Sequence, residues 1–174
     1  DVCSSDLGRA VPLLGVVHVR IIMAIAALPG IGLLHAIPFV LRQLMTLLVE
    51  IENSSPKDIV TFTETGVRDV TWDSSNINAQ LGESMTMKDC WFAAYIKSAN
   101  EVCAQIAEYV GGTEANFVDM MNQRIAELGC NESHFANPSG LNDDTQRTTA
   151  YDMAIIARAC FQNPTVLEIA SART

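Results

Sequence analysis

The chain has 174 residues, enough for one ordinary domain, and 49% of them are hydrophobic although only 6% are aromatic. The formal net charge of −9 is the opposite of the basic footprint that a nucleic-acid partner requires. We therefore expect no nucleic-acid partner and a core built mainly from aliphatic side chains.

The charge is distributed unevenly along the chain. Residues 1–44 carry three basic and two acidic side chains, whereas residues 45–174 carry eight basic and eighteen acidic ones. This change in composition predicts two segments of different character that meet near residue 45. Residues 1–7 resemble the in-frame translation of a sequencing adapter, and we interpret residues 1–44 as a hydrophobic segment of artefactual or frame-shifted sequence.

A membrane anchor or signal-like segment is the alternative interpretation of this first segment. Residues 21–41 contain no charged side chain, and a bilayer is crossed by a helix of about 20 apolar residues. Pro29 and Gly30 at the middle of the run, and Pro38 near its end, count against a regular span.

From Met45 onward the sequence predicts a mostly helical domain. An apolar helical run extends through Ile51 and ends at a turn cluster, residues 53–56. Residues 58–63 alternate and are rich in β-branched side chains, which predicts a short strand. Residues 71–81 are polar and irregular, which is typical of a loop or a short strand pair.

A sharper helix start follows at Thr86, where Asp89 completes a T-x-x-D cap. The helix is interrupted at Ser98-Ala99-Asn100, which we call the 98–100 break, and a second helix, 101–110, ends at Gly111-Gly112. Further helices are predicted over 114–128, after the cap at Thr149, and from Asn163-Pro164, with a turn-rich segment at 134–141 between them.

The 98–100 break contains the first candidates for chemistry, Ser98 and Asn100. A hydroxyl and a carboxamide two positions apart at a helix break can both point into one cleft. Ser and Asn are also common helix interrupters and N-caps, so the pattern alone is weak.

The cysteines and histidines favour neither a metal site nor a disulfide framework. The five cysteines are scattered without a C-x-x-C pair, and the three histidines are far apart. We expect buried free thiols.

Several motifs, taken in order, carry a family resemblance. They are Met45-Thr46 with the acidic end of that helix, Gly82-Glu83, the 98–100 break, Gly111-Gly112, and the segments 117–122, 134–141 and 149–154. Their order and spacing over residues 45–174 resemble the D-alanyl-D-alanine carboxypeptidases among the low-molecular-weight penicillin-binding proteins, serine peptidases that trim peptidoglycan stem peptides.

The resemblance implies the α/β (α+β) penicillin-recognising fold, which is β-lactamase/transpeptidase-like. Residues 45–174 would be a partial carboxypeptidase catalytic domain, mostly its helical subdomain with few short strands. The implied substrate is a peptidoglycan stem peptide ending in D-Ala-D-Ala, and β-lactams would bind the intact parent. No metal or organic cofactor is implied, and the site would lie at the extracytoplasmic face of the bacterial membrane or in the cell wall, with membrane association as a further expectation.

The family's chemistry uses the motifs S-x-x-K, S-x-N and K-T-G. By resemblance, Ser98 and Asn100 form the second motif: Ser98 would share in proton transfer to the leaving amine, and Asn100 would hold side chains and the substrate amide in register. Counting back from Met45-Thr46 puts Val40 where the family has its nucleophile and Gln43 where it has its lysine. The chain also ends at Thr174 before any K-T-G, so we expect it to be inactive as written.

Two alternatives remain open at this point. One is a non-catalytic, membrane-tethered interaction protein with the penicillin-recognising fold, in which Val40 and Gln43 are genuine. The other is a relative of the serine β-lactamases, which differ by a deacylating Glu in a later loop that this sequence does not clearly supply.

Overall fold

The computed structural model describes residues 33–68, 70, 75–140 and 143–172, with side chains from residue 43 onward. The chain divides into two compact units, Asp1–Val40 and Leu41–Thr174. The adapter-like residues 1–7 and most of the segment 1–44 lie outside the described residues. Among the helices that the structure describes, none is both long enough and apolar enough to cross a membrane.

Seven helices and two strands are formed by the described residues. In chain order they are α1 (Leu33–Glu52), β1 (Ile59–Thr61), α2 (Glu64–Val67), β2 (Ser84–Thr86), α3 (Met87–Lys97), α4 (Asn100–Gly111), α5 (Glu114–Glu127), α6 (Ala150–Gln162) and α7 (Pro164–Ser171). The helical content agrees with the prediction, and α1 runs without interruption across residue 45, where the composition changes.

The two strands form one antiparallel pair. Ile59 pairs with Thr86, Val60 with Met85, and Thr61 with Ser84. Val60 is buried while the residues on either side of it are exposed, which is the alternation of a strand with one face on a core. The strand predicted over 58–63 is confirmed over three of those residues, whereas β2 and the short helix α2 were not predicted.

Most helices begin directly after a residue whose side chain caps them. The side-chain oxygens of Thr86, Thr113 and Thr149 each accept a hydrogen bond from a main-chain amide three residues later, and that of Asn163 accepts one from Thr165. These bonds satisfy amides that have no partner within the helix. At Thr86 the cap differs from the expected box, because the Asp89 carboxylate accepts a hydrogen bond from the Thr86 hydroxyl at 2.6 Å rather than from its main-chain amide.

The core of the second unit surrounds the last two turns of α1. Leu44, Met45, Leu47, Leu48 and Val49 are all almost fully buried. The main chain and side chains of this stretch also contact later helices through polar groups: the Leu44 carbonyl accepts from the Cys160 thiol of α6 at 3.2 Å. A helix with all sides buried belongs at the centre of a domain.

Candidate functional site

The 98–100 break is a two-residue joint between α3 and α4. Ser98 ends α3 in the left-handed region, with φ 52° and ψ 38°. Its main-chain amide and that of Ala99 both donate to the Ala93 carbonyl, which satisfies acceptors at the end of the helix. Ala99 is extended and fully buried, and α4 starts at Asn100. For a residue with a side chain, the left-handed region costs about 1 kcal/mol.

Three hydrogen bonds connect residues 75–77, which we call loop 75–77, to Asn100 and to the two residues that flank the 98–100 break, Lys97 and Glu101. The Ser75 hydroxyl donates to the Lys97 carbonyl, and the Asn100 amide donates to the Ser75 carbonyl at 3.0 Å. The Ile77 amide donates to Glu101 Oε1 at 2.6 Å. Ala99 offers no side-chain cap to α4, and the Ser75 carbonyl accepts from the first amide of that helix.

The two predicted site residues are half-buried. Ser98 is intermediate in exposure, and so is Asn100, whose Oδ1 is buried without a hydrogen-bond partner among the described residues. An unpaired buried acceptor costs free energy.

A small cavity lies between α1 and the helices on either side of the break. Its volume is about 10 Å³, and it is lined by Gln43, Thr46, Leu47, Glu50, Ala94, Tyr95 and Cys103. Gln43 occupies the position that the motif count assigns to the family's lysine, and its Nε2 is buried with no partner within the described part of the chain. The structure therefore brings this position of α1 to the ends of α3 and α4 that join at the break, and the cavity wall includes neither Ser98 nor Asn100.

Burial dominates the electrostatics of this region. It raises the pKa of Glu50 well above its ordinary value, and it raises the pKa of Cys103, with a further increase from the nearby carboxyls of Glu50 and Glu101. Burial also raises the pKa of Tyr95 to about 12. The Cys103 thiol and the Tyr95 phenol are therefore neutral at pH 7, and the Cys103 thiol is a poor nucleophile because the thiolate is the reactive form.

The segment 134–140 packs against α1 one turn after Gln43. The Thr46 hydroxyl donates to the Pro138 carbonyl at 2.7 Å. Asn122 of α5 holds both main-chain groups of Phe135, accepting from its amide at 2.9 Å and donating to its carbonyl at 2.8 Å. Gly140 has φ 78°, a left-handed conformation that glycine adopts without strain, so the turn predicted from this segment is confirmed.

A larger depression of about 240 Å³ lies elsewhere, between the end of α1 and α5. Its wall includes Arg124, which pairs with Glu52 through two hydrogen bonds of 2.9 Å and with Glu127 through one of 3.1 Å. Its charged side chains are thus already paired with one another. Among the residues that the structure describes, no three His, Cys, Asp or Glu side chains are arranged to bind a metal ion.

Two acidic residues at the centre of the site were missed from the sequence. Glu50 and Glu101 are 1% and 0% exposed, although acidic side chains are usually exposed. Glu50 carried a signal in the sequence, because it stands between the apolar residues 47–49 and Ile51 in one helical run. Glu101 carried none, since an acidic residue in the first turn of a helix is an ordinary surface feature.

Known proteins resemble this chain in both sequence and fold. The sequence model of the D-alanyl-D-alanine carboxypeptidase family matches residues 38–174. The D-alanyl-D-alanine carboxypeptidase DacF of Bacillus subtilis is 39% identical over 84 residues, which cover 48% of this chain and 22% of that protein. DacD of Escherichia coli is 32% identical over 108 residues, covering 60% of this chain and 28% of that protein.

The fold comparison gives the same result. The crystal structure of the D-alanyl-D-alanine carboxypeptidase DacD from Francisella tularensis matches with a TM-score of 0.65 at 32% identity, over 72% of this chain and 31% of that one. The chain thus spans less than a third of the length of these relatives. The predicted penicillin-recognising fold, represented here mainly by its helices, is confirmed. Because the family match covers residues 38–174 and the described residues share the fold, the chain belongs to the D-alanyl-D-alanine carboxypeptidase family.

Proposed function

We propose that the whole protein is a serine-type D-Ala-D-Ala carboxypeptidase that trims peptidoglycan stem peptides through an acyl-enzyme at the extracytoplasmic face of the membrane or in the cell wall. Ser98 and Asn100 are its second catalytic motif. The observation that carries this proposal is the 98–100 break itself, where a left-handed Ser98 is followed directly by the first turn of α4. Residues of α3 and α4 near the break share a cavity wall with Gln43, the α1 position that corresponds to the family's lysine.

The proposed chemistry divides between the two side chains. The Ser98 hydroxyl both donates and accepts hydrogen bonds, so it passes a proton toward the leaving D-Ala amine. The Asn100 carboxamide orients its neighbours and the substrate amide. Acylation itself needs a nucleophile with a positioned base, and Val40 and Gln43 supply neither.

A graft into an active relative tests the role of Ser98 and Asn100. Residues 75–112 of this chain replace the corresponding segment of DacD from E. coli, which supplies its own nucleophile and lysine, and D-Ala release from a stem peptide is measured. We expect an active graft in which Ser98→Ala and Asn100→Ala each lower kcat/KM about a hundredfold, the usual scale for proton-transfer groups.

Tyr109→Phe is the matched control in the graft, because Tyr109 is exposed and lies on α4 away from the break. We expect it to leave kcat/KM unchanged. A folded graft that releases no D-Ala, or one whose activity is indifferent to Ser98→Ala and Asn100→Ala, would refute the proposed role.

Penicillin labelling distinguishes the alternatives for the chain as written. We expect no covalent label from a fluorescent penicillin on residues 1–174, while intact DacD is labelled in the same gel. A label that survives denaturation would show that the chain acylates in spite of Val40 and Gln43. Recovery of the chain in washed membranes would instead favour the tethered, non-catalytic alternative.

A further inference from the structure

Loop 75–77 is bonded to the chain on both sides of Ser98. It reaches Lys97 immediately before Ser98 through the Ser75 hydroxyl, and it reaches Asn100 and Glu101 after it through the Ser75 carbonyl and the Ile77 amide. The loop therefore spans the 98–100 break and fixes the end of α3 relative to the start of α4.

The conformation at Ser98 requires such support. A residue with a side chain persists in the left-handed region only where surrounding contacts determine its backbone. The hydrogen bonds from the Ser98 and Ala99 amides both go to the Ala93 carbonyl of α3 and do not reach α4. The contacts of loop 75–77 bridge the end of α3 and the start of α4.

Glu101 is the residue of this arrangement whose buried carboxyl group needs an explanation. It is fully buried, and within the described ranges no basic side chain pairs with it. One carboxylate oxygen accepts from the Ile77 amide at 2.6 Å, and the other is buried without a partner. A buried carboxyl is costly to hold, so the burial of Glu101 calls for an explanation.

We propose that Glu101 is a positioning residue, whose Oε1 holds loop 75–77 against the 98–100 break and so sets the directions of the Ser98 and Asn100 side chains. This inference rests on the proposed function for its catalytic meaning, while its structural content concerns the chain alone. Neither Glu101 nor the loop touches the reacting atoms in this arrangement; they act through the backbone of the break.

Two substitutions separate positioning from stability in the 174-residue chain. Glu101→Leu fills the buried space with an apolar side chain and removes the acceptor of the Ile77 amide. Glu101→Gln keeps the acceptor Oε1. We expect Glu101→Leu to speed hydrogen exchange of the Ile77 amide about tenfold, on the scale of one lost hydrogen bond to a charged group, and to shift the Ser98 Cα and Cβ resonances away from left-handed values. Glu101→Gln should stay within about threefold of the parent in exchange and keep the Ser98 resonances.

Ile106→Val is the control for general loosening of α4, because Ile106 is fully buried in the same helix and makes no bond to the loop. We expect it to lower the melting temperature without changing the Ser98 resonances. Glu101→Leu should shift the Ser98 resonances whatever its effect on the melting temperature.

The inference is overturned if Glu101→Leu leaves both the Ile77 exchange and the Ser98 resonances unchanged, or if Glu101→Gln disturbs them equally. In the DacD graft, Glu101→Leu should lower kcat about tenfold with little change in KM, the pattern of a contact that acts in the transition state, and Glu101→Gln should restore it. If Glu101→Leu shifts the Ser98 resonances but does not change kcat, Glu101 positions the backbone of the break without affecting catalysis. A graft insensitive to Ser98→Ala refutes the proposed function instead.

Discussion

At the scale of single residues, the unusual feature of this domain is a carboxyl group in its core. Glu50 is 1% exposed, and one of its oxygens has no partner among the described residues. No ion pair with a basic side chain is formed there within the part of the chain that the structure describes. Burial therefore keeps the group protonated above its ordinary pKa of 4.5, since a lone buried charge is far costlier than a neutral carboxyl.

The pH dependence of stability should reveal this group. Because the folded-state pKa of Glu50 is raised, the unfolded chain releases the proton first as pH rises above about 4.5, and the stability falls until the folded-state pKa is passed. Glu50→Gln removes this effect. We expect its free energy of unfolding to exceed that of the parent by about 1 kcal/mol at pH 7, with the difference shrinking toward pH 4, as measured by urea unfolding.

Glu132→Gln serves as the control, because Glu132 is exposed. Its effect should stay below about 0.5 kcal/mol at every pH, as for most surface substitutions. A Glu50→Gln variant that is less stable than the parent by a constant amount from pH 4 to pH 8 would contradict the assignment.

At the scale of elements, the sequence identifies features that are set locally. The caps at Thr86, Thr113 and Thr149, the break after Lys97 and the turn around Pro138 follow from side-chain and backbone preferences of a few neighbouring residues, and all were predicted. Residues 71–81 were predicted as a loop or short strand pair, but the contacts of loop 75–77 and the strand β2 were missed because their hydrogen bonds go to residues more than twenty positions away. The short helix α2 was also missed.

The candidate site shows the same difference between features set by neighbouring residues and features set by distant contacts. Ser98 and Asn100 were identified by their local pattern, and their catalytic role stays a prediction. The burial of Glu101 depends on loop 75–77 folding over it, which no local pattern encodes. A sequence taken alone therefore indicates where a helix breaks but not what holds the break in place.

Asn122, which bonds to both main-chain groups of Phe135 and which we call the Asn122 clamp, gives a test at the scale of elements. Asn122→Asp retains the acceptor for the Phe135 amide but loses the donor to the Phe135 carbonyl at 2.8 Å and to Val118 at 3.0 Å. We expect the free energy of unfolding to fall by about 2 kcal/mol, since buried carbonyls lose their donor and face a carboxylate instead.

Asn116→Asp is the same substitution on the same helix, at an exposed position in the first turn of α5. A carboxylate is favourable near a helix N-terminus, so the change should stay below about 0.5 kcal/mol. Equal losses for the two variants in urea unfolding would show that the clamp contributes nothing specific.

At the scale of the whole molecule, the thiols report how completely the core is closed. Cys90, Cys103, Cys130 and Cys160 are free and buried, as predicted, while Cys3 lies outside the described residues. Burial raises the pKa of Cys90 and Cys160 to about 12, so the thiolate form is scarce at pH 8. The four groups come from helices α3, α4 and α6 and from the connection after α5.

A thiol-reactive dye at pH 8 should therefore label the folded chain slowly. In a Cys3→Ser background, we expect labelling at least about a hundredfold slower in buffer than in denaturant, where all four thiols are exposed. Ala154→Cys, at an exposed position of α6, should add one thiol that reacts at the rate of a free cysteine. Rapid labelling of the parent thiols in buffer would show that the core opens readily.

Loop 75–77 has a consequence for how this sequence can diverge. Of the six atoms that form its three hydrogen bonds to the break region, four belong to the main chain: the Ser75 and Lys97 carbonyls and the Ile77 and Asn100 amides. Main-chain atoms are present in every residue type except for the amide missing from proline. Descendants of this gene can therefore exchange the side chains at positions 77 and 97 over long evolutionary times and still inherit the same shape at the break, so that lineages with little remaining identity would superpose there.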